Sequence, residues 1–170
     1  MRPTASDVGR PALGGDSMVA RRQKRVLAIS SGGGHWIELI RVADAFVDHD
    51  AVFVTVNESY RADVGEARFH VVNDATQWDK FGLLRMAAKI FWILLVERPD
   101  VVISTGAAPG YFGLRLGKLF GARTVWIDSI ANVEELSMSG QRIGKHADLW
   151  LTQWPHLSQV KGPVYAGSVL

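Results

Sequence analysis

The fold is decided by the stretch Val26-Leu27-Ala28-Ile29-Ser30-Ser31-Gly32-Gly33-Gly34-His35, which leads from an apolar segment into a glycine loop. Four apolar residues in succession are typical of a strand that is buried on both faces of a parallel sheet. Apolar residues at helical spacing then predict a helix from Trp36 to Val47. Residues without a Cβ let the backbone approach a ligand, and the N-terminus of the next helix carries a partial positive charge. The stretch therefore predicts an anion site, most often a phosphate site, between strand and helix.

The glycine loop does not match either of the two commonest phosphate-binding motifs. It lacks the Gly-Lys-Ser/Thr ending of a P-loop, and its three adjacent glycines do not give Gly-x-Gly-x-x-Gly. His35 at the predicted helix start is the chemically distinctive residue, because a neutral histidine can donate to a phosphate or take a proton from a hydroxyl. A role in capping the helix is the alternative.

Composition indicates one ordinary globular domain. The chain has 170 residues, of which 48% are hydrophobic and 21% charged. The absence of cysteine excludes disulfides and cysteine metal sites, and a net charge of +2 gives no reason to expect nucleic acid. No cofactor and no metal site are predicted, since the five histidines are scattered along the chain.

Strands and helices alternate along the sequence after a polar tail. Residues 1–23 predict a disordered tail without a signal peptide, and residues 24–170 predict a single Rossmann-like domain. The predicted strands are 26–30, 51–56, 68–72, 100–104, 124–128, 149–152 and 164–166, with helices over 36–47, 81–96 and the residues leading to Phe120. This alternation predicts a doubly wound, mostly parallel α/β sheet.

The predicted strand order places two small-residue loops together. In the order 3-2-1-4-5 the winding reverses between strands one and four, and ligands bind at that point outside the carboxyl ends of the strands. Ser31–His35 follows strand one and Thr105–Gly110 follows strand four. We therefore expect the two loops to face each other across one crevice, with Gly106 and Gly110 beside a bound diphosphate.

The predicted helix over 81–96 is apolar almost all round. Its last fourteen residues span roughly 21 Å, too short for a bilayer core of roughly 30 Å. A buried crossover helix and an interfacial membrane helix both remain open. In the second case basic side chains reach the headgroups, together with the basic run before strand one. The predicted membrane contacts are Arg21, Arg22, Arg25, Arg85, Lys89, Phe91 and Trp92.

Several motifs along the chain carry a family resemblance. They are Ser31-Gly32-Gly33-Gly34-His35, Ser104-Thr105-Gly106, Ile127-Asp128-Ser129, Leu136-Ser137-x-Ser139-Gly140, Ala147-Asp148-Leu149 and Gln153-Trp154-Pro155. With these motifs the chain resembles asparagine-linked glycosylation protein 14 and its bacterial exopolysaccharide counterparts of the PssD type. The resemblance covers about residues 24–170, and a more distant resemblance is to the N-terminal domain of MurG. The resemblance implies the N-terminal half of a GT-B glycosyltransferase, carried on its own chain.

The resemblance also implies partners and roles. A PssE-like subunit would bind the UDP-sugar donor, and this chain would bind a polyprenyl-diphosphate-linked sugar acceptor at the cytoplasmic face of the cell membrane, as a peripheral protein. His35 or Asp128 would deprotonate the acceptor hydroxyl. The acceptor phosphates would contact Ser31, Gly32, Gly33, Gly34, Thr105, Gly106, Gly110 and Ser129, and the partner would contact Gln153, Trp154, Pro155, Tyr165 and Leu170.

Three departures from the family pattern matter. The first loop has one more glycine than the shortest family versions. Eukaryotic members carry an N-terminal transmembrane anchor that we do not expect here, so attachment is expected to rest on the basic run and the apolar helix. The family often has Glu-Ser where this chain has Asp128-Ser129.

Two rival functions come from other classes of protein. One is a soluble single-chain nucleotide-binding α/β enzyme, for which Asn57-Glu58 would contact a ribose. The other is a non-catalytic scaffold with a vestigial crevice.

Overall fold

A computed structural model describes residues 22–169 and contains a seven-stranded sheet in which every neighbouring pair of strands is parallel. The strand order is β3-β2-β1-β4-β5-β6-β7. This confirms the doubly wound parallel sheet and the 3-2-1-4-5 order expected from the sequence. The strands are β1 Arg25–Ile29, β2 Asp50–Thr55, β3 Arg68–Val71, β4 Val101–Ser104, β5 Arg123–Ile127, β6 Leu149–Thr152 and β7 Val164–Tyr165.

Helices cover both faces of the sheet. The α-helices are α1 Gly34–Val42, α2 Lys80–Glu97, α3 Ala107–Leu119 and α4 Met138–Ile143, and short 3-10 helices cover Ala43–Phe46, Glu58–Val64, Gly144–His146 and Pro155–Leu157. The predicted helix over 36–47 is thus divided between α1 and a 3-10 turn, and α4 was not predicted. At its start, α2 is capped by Asp79, whose side chain accepts a hydrogen bond of 2.8 Å from the Gly82 N–H.

The core lies in two layers because side chains alternate along each strand. Leu27 and Ile29 of β1 point into the layer under α2 and α3, whereas Ala28 points into the layer under α1. Glycine brings α3 close to the sheet, since a Cβ at Gly113 would lie only 2.8 Å from Ile29. This packing fixes the start of α3 beside the end of β1.

The predicted tail and two predicted contact residues lie wholly or partly outside residues 22–169. Of the tail over residues 1–23, only Arg22 and Gln23 are described, and both are exposed without regular structure. Arg21 and Leu170 lie outside the described residues. Within residues 22–169, every helix falls short of the length and apolar character needed to cross a bilayer.

Candidate functional site

The loops after β1 and β4 are joined by two hydrogen bonds. The strand register pairs Ile29 with Ser104, so the two loops start side by side. The His35 ring nitrogen Nδ1 lies 3.1 Å from the Thr105 carbonyl oxygen, and the Thr105 hydroxyl donates to the His35 carbonyl at 2.6 Å. The structure thus brings together the two loops that the sequence expected to meet.

These contacts determine which nitrogen of His35 carries the proton. A carbonyl oxygen can only accept, so Nδ1 donates to Thr105 and the neutral ring keeps its lone pair on Nε2. Gly106 supports this arrangement with a φ of +146°, and a Cβ there would lie 2.5 Å from Nδ1. The Nδ1 edge of the ring is therefore clamped, and Nε2 is the atom available to take a proton.

The first glycine loop presents backbone N–H groups at the start of α1. Gly33 has a φ of +64°, a conformation that favours glycine, and both Gly33 and Gly34 are exposed. The Gly33 N–H donates to the Tyr60 hydroxyl at 2.9 Å. The N–H groups of Gly34 and His35, at the first two positions of the helix, have no intrahelical carbonyl to bond. The N–H groups of Gly34 and His35 are therefore the donors that this loop can offer to an anion.

Tyr60 is a residue of this site that sequence reasoning missed. Its ring stacks on Trp36 with centroids 5.1 Å apart, and its hydroxyl covers Gly32 as well as bonding to Gly33. Nothing in the sequence marks it, since it lies in the 3-10 helix Glu58–Val64 after β2, which the sequence analysis did not predict. It limits the room over the first glycine and directs a ligand towards Gly34.

In the second loop, two predicted phosphate contacts have structural roles instead. Thr105 is fully buried and its hydroxyl is committed to His35. Gly110 faces the sheet, where a Cβ would lie 1.9 Å from the Ser104 hydroxyl oxygen, so this glycine permits close helix–strand packing. The groups that remain for a ligand are the first N–H groups of α3, at Ala107 and Ala108.

Asp128 is buried among the groups of its own loop. The side chain is only 2% exposed, and it accepts hydrogen bonds from the Ser129 N–H at 3.0 Å, the Asn132 amide at 2.8 Å and the Ser137 N–H at 3.1 Å. Burial raises the pKa of the Asp128 carboxyl, and the hydrogen bonds from Ser137 and Asn132 oppose this rise. A Cβ at Gly140 would lie 2.2 Å from this carboxylate, so no ligand fits on that side. These contacts make Asp128 an anchor of the loop after β5, and they occupy the carboxylate that the sequence analysis named, beside His35, as a candidate base.

Glu38 is a second buried carboxylate, and the sequence analysis missed it. It is 5% exposed, accepts from the Ser129 hydroxyl at 2.7 Å and accepts from the Gln153 amide at 3.0 Å. Ser129, expected at the phosphates, and Gln153, expected at the partner, are therefore interior residues of this network. The one sequence feature that could have indicated Glu38 is its position, one helical turn after His35 on the predicted helix.

The outer face of α2 is apolar and exposed. Phe81 is 87% exposed and Trp92 is 64% exposed, whereas Met86 is fully buried on the opposite side of the helix. The exposed charges on this helix include Arg85 and Lys89. One side of α2 thus packs on the core as a crossover helix, and the other side exposes apolar side chains.

Two of the residues predicted to contact a membrane are engaged elsewhere. Arg25 donates from Nε to Asp50 at 2.8 Å and from Nη1 to the Glu97 carbonyl at 2.6 Å, so it is not a free basic group. Phe91 is half-exposed because its ring packs on Phe120 with centroids 5.3 Å apart. Arg22 is exposed.

The region expected to contact a partner is only partly at the surface. Trp154 is half-buried and donates from its indole nitrogen to the Ile130 carbonyl at 2.8 Å. Pro155 and Tyr165 are exposed, the latter on the edge strand β7. Across residues 22–169, no three His, Asp or Glu side chains converge on a point that could hold a metal ion.

Comparison with known proteins gives the family. Residues 72–169, more than half of the chain, match the family model described as "Oligosaccharide biosynthesis protein Alg14 like". The chain belongs to the Alg14 family. The resemblance drawn from the sequence motifs to this family is therefore confirmed.

Two relatives illustrate how far the likeness extends along the chain. The "UDP-N-acetylglucosamine transferase subunit ALG14" of Mus musculus is 25% identical over 193 positions, which cover 93% of this chain and 88% of the relative. The protein of the same name from Yarrowia lipolytica is 27% identical over 144 positions, covering 80% of this chain and 62% of the relative.

Solved structures support the fold assignment. MurG from Acinetobacter baumannii superposes with a TM-score of 0.71 at 12% identity, over 85% of this chain and 46% of that chain. The Alg14-family chain thus spans less than half of the MurG chain, and its fold is that of one half of a GT-B-type protein.

Proposed function

We propose that this Alg14-family chain is the acceptor-side subunit of a split, UDP-sugar-dependent glycosyltransferase for lipid-linked oligosaccharide or exopolysaccharide synthesis. The observation that carries the proposal is His35, which is held between the two glycine loops with Nδ1–H bonded to the Thr105 carbonyl, so that Nε2 is the ring nitrogen available to take a proton. The printed names of the relatives, each a subunit of a UDP-N-acetylglucosamine transferase, support the same reaction class.

The crevice suits the diphosphate of a polyprenyl-linked sugar acceptor. The starts of α1 and α3 adjoin, and each offers two N–H groups with no intrahelical partner, at Gly34 and His35 and at Ala107 and Ala108. Both helix dipoles place partial positive charge there, which favours a bound anion. The diphosphate would hold the acceptor sugar so that its hydroxyl approaches His35.

In the transfer step, Nε2 of His35 takes the proton from the acceptor hydroxyl. The hydroxyl oxygen forms a bond to the anomeric carbon of the donor sugar, and the bond from that carbon to the diphosphate breaks with its electron pair leaving on UDP. Because Nδ1–H already donates to the Thr105 carbonyl, the imidazolium that forms is stabilised at that edge.

A separate PssE-like chain supplies the donor site in this proposal and stabilises the leaving diphosphate. The printed names of the relatives, each a subunit of a transferase, support a second chain. Exposed residues around Pro155 and Tyr165 are the proposed contacts. The outer face of α2, with Arg85 and Lys89, is proposed to lie on the cytoplasmic face of the membrane as a peripheral attachment.

Reconstitution tests the proposal. The purified chain alone should neither hydrolyse nor transfer a UDP-sugar, and the pair with its donor-binding subunit should transfer the sugar to a polyprenyl-diphosphate-linked acceptor. Calorimetry that found tight UDP binding to this chain by itself would contradict the split-enzyme proposal and favour the single-chain nucleotide-binding enzyme.

A further inference from the structure

Glu38 is a buried carboxylate that the proposed transfer step does not use. It lies on α1 one turn after His35, and its two oxygens reach different elements. Oε1 accepts from the Ser129 hydroxyl at 2.7 Å and the Ile130 N–H at 3.3 Å, whereas Oε2 accepts from Gln153 at 3.0 Å. Burying a carboxylate costs free energy unless hydrogen-bond donors surround it, so the groups that contact Glu38 must be donors.

The carboxylate fixes the orientation of the Gln153 amide. The amide nitrogen of Gln153 donates to Glu38 and to the Asp128 carbonyl, both at 3.0 Å, and neither of these oxygens can donate. The amide oxygen must therefore point the other way, where it accepts from the Val169 N–H at 2.9 Å. The Gln153 amide thus links Glu38 of α1 to Val169 of the C-terminal segment, residues 166–169, and its orientation is fixed by the donors and acceptors on both sides.

A second contact joins the same segment to α1. Arg41 donates from Nη1 to the Val169 carbonyl at 3.0 Å. Both backbone polar groups of Val169 are therefore held by α1, one directly and one through Gln153. A cavity of about 320 Å³ lies between the segment and the C-terminal half of α1, with Val42 and Leu151 in its lining. The hydrogen bonds of Val169 to Arg41 and Gln153 therefore connect the C-terminal segment to the helix beside this cavity.

We propose that Glu38 is a positioning residue that couples the C-terminal segment to His35. It sets the amide orientation of Gln153, and α1 is a rigid helix of nine residues, so a displacement at Glu38 is carried one turn back to the histidine. This inference rests on the proposed function, in which the donor-binding chain docks beside Tyr165 and the C-terminal segment. Docking of the partner would then adjust the base for transfer.

The variant Glu38→Gln isolates the coupling because it changes charge and hydrogen-bond polarity with almost no change in volume. Its new amide nitrogen faces the Ile130 N–H in one orientation and the Gln153 amide nitrogen in the other, and both of these groups are donors. A flip of the Gln153 amide would separate the two donors, but it turns the amide nitrogen towards the Val169 N–H. The hydrogen bond between Val169 and Gln153 is then lost. Ser129→Ala is the matched control, since it removes one bond to Glu38 but leaves the contact to Gln153 intact.

Amide hydrogen exchange and histidine ring signals, both measured by NMR on the full chain, test the coupling without any assay of activity. Glu38→Gln should speed exchange of the Val169 amide by about 10-fold, the size expected for one lost hydrogen bond, and should shift the ring signals of His35. Ser129→Ala should leave Val169 exchange within about 2-fold of the parent rate. Unchanged Val169 exchange or unchanged His35 signals in Glu38→Gln would overturn the proposal.

Gln153→Met provides a second route if Glu38→Gln fails to fold. It keeps the side-chain length, removes all three hydrogen bonds of the Gln153 amide and should release Val169 and shift the His35 signals in the same way. In the reconstituted pair both variants should lower kcat, with the acceptor KM changed far less. Altered NMR signals with unchanged kcat would overturn the positioning role. Failure of the unmodified pair to transfer sugar would instead contradict the proposed function, and the NMR result would still decide the coupling.

Discussion

At the scale of the residue, His35 has the geometry of a general base held by a carbonyl. We expect His35→Ala to lower kcat of the reconstituted pair by roughly 100-fold or more, because proton transfer from the acceptor hydroxyl loses its acceptor. The measurement is steady-state kinetics with acceptor varied at saturating donor. Affinity for the partner should stay the same, since the crevice and the partner surface are separate.

Other outcomes for His35→Ala have distinct meanings. A loss confined to the acceptor KM would assign His35 to phosphate binding, and a stability loss of about 1 kcal/mol with full activity would assign it to helix capping. Full activity would also favour the scaffold reading. His146→Ala is the matched control, because His146 is exposed just before β6, at the edge of the sheet away from the crevice.

Asp148 is a second residue with a testable role, this time in stability. Its carboxylate accepts from Lys118 and from the N–H and hydroxyl of Thr124, and the hydrogen bond from Lys118 lowers its pKa to about 2. The pKa of an unfolded aspartate is about 3.9, so the contact stabilises the fold above about pH 4 and this contribution is lost as the pH falls towards 2.

We expect Asp148→Asn to lower the free energy of unfolding by about 1 kcal/mol at pH 7, after allowance for solvent screening of a partly exposed pair. The difference from the parent chain should shrink as the pH falls from 4 towards 2. Denaturant unfolding across this pH range measures it, with Glu135→Gln as the control because Glu135 is exposed. A constant difference at every pH would contradict an electrostatic origin.

At the scale of the element, α2 exposes a surface suited to lipid headgroups and acyl chains. Phe81, Leu84 and Trp92 are its most exposed large apolar residues, and Arg85 and Lys89 are exposed cations on the same helix. We expect the chain to bind anionic liposomes, with an affinity that falls as salt is added. Replacing the three apolar residues with glutamate should abolish binding without unfolding, since none of them lies in the core.

Sedimentation with liposomes of defined anionic lipid content, at low and high salt, measures this binding. Val47→Glu together with Val160→Glu is the control, because both valines are exposed but lie in connecting segments away from α2 in the chain. If the parent chain did not sediment with anionic liposomes at low salt, the peripheral-membrane proposal would be wrong.

At the scale of the whole molecule, the edge of the sheet at β7 is the surface proposed for the donor-binding subunit. Val164 and Tyr165 form this two-residue edge strand and are both exposed. We expect the double change Val164→Lys and Tyr165→Lys to weaken binding to that subunit by at least about 10-fold, because charged side chains on an edge strand oppose close association. Pull-down titration measures the affinity. Leu119→Lys is the control, and an unaltered affinity in the double variant would move the partner to another surface.

The sequence predicted the architecture because the signals for it are local. Alternating apolar strands and helices predict the parallel sheet, and the two small-residue loops predict its switch point. The direction in which a single side chain points depends on distant parts of the chain, so the sequence could not show that Ser129 and Gln153 are buried or that Gly110 packs against the sheet. Glu38 was missed for the same reason, since its partners Ser129 and Gln153 are 91 and 115 positions further along the chain.

The central position of β1 in the sheet has a consequence for how the chain folds during synthesis. Residue Val26 pairs with Ala51 on one side but with Val101 on the other, so the second edge of β1 stays open until β4 has left the ribosome. During that interval an apolar strand has an unpaired edge, the condition that favours aggregation. The loop that carries His35 is among the first parts of the domain to be made. It gains its partner Thr105, 70 residues later, only after β4 has been made and can pair with β1.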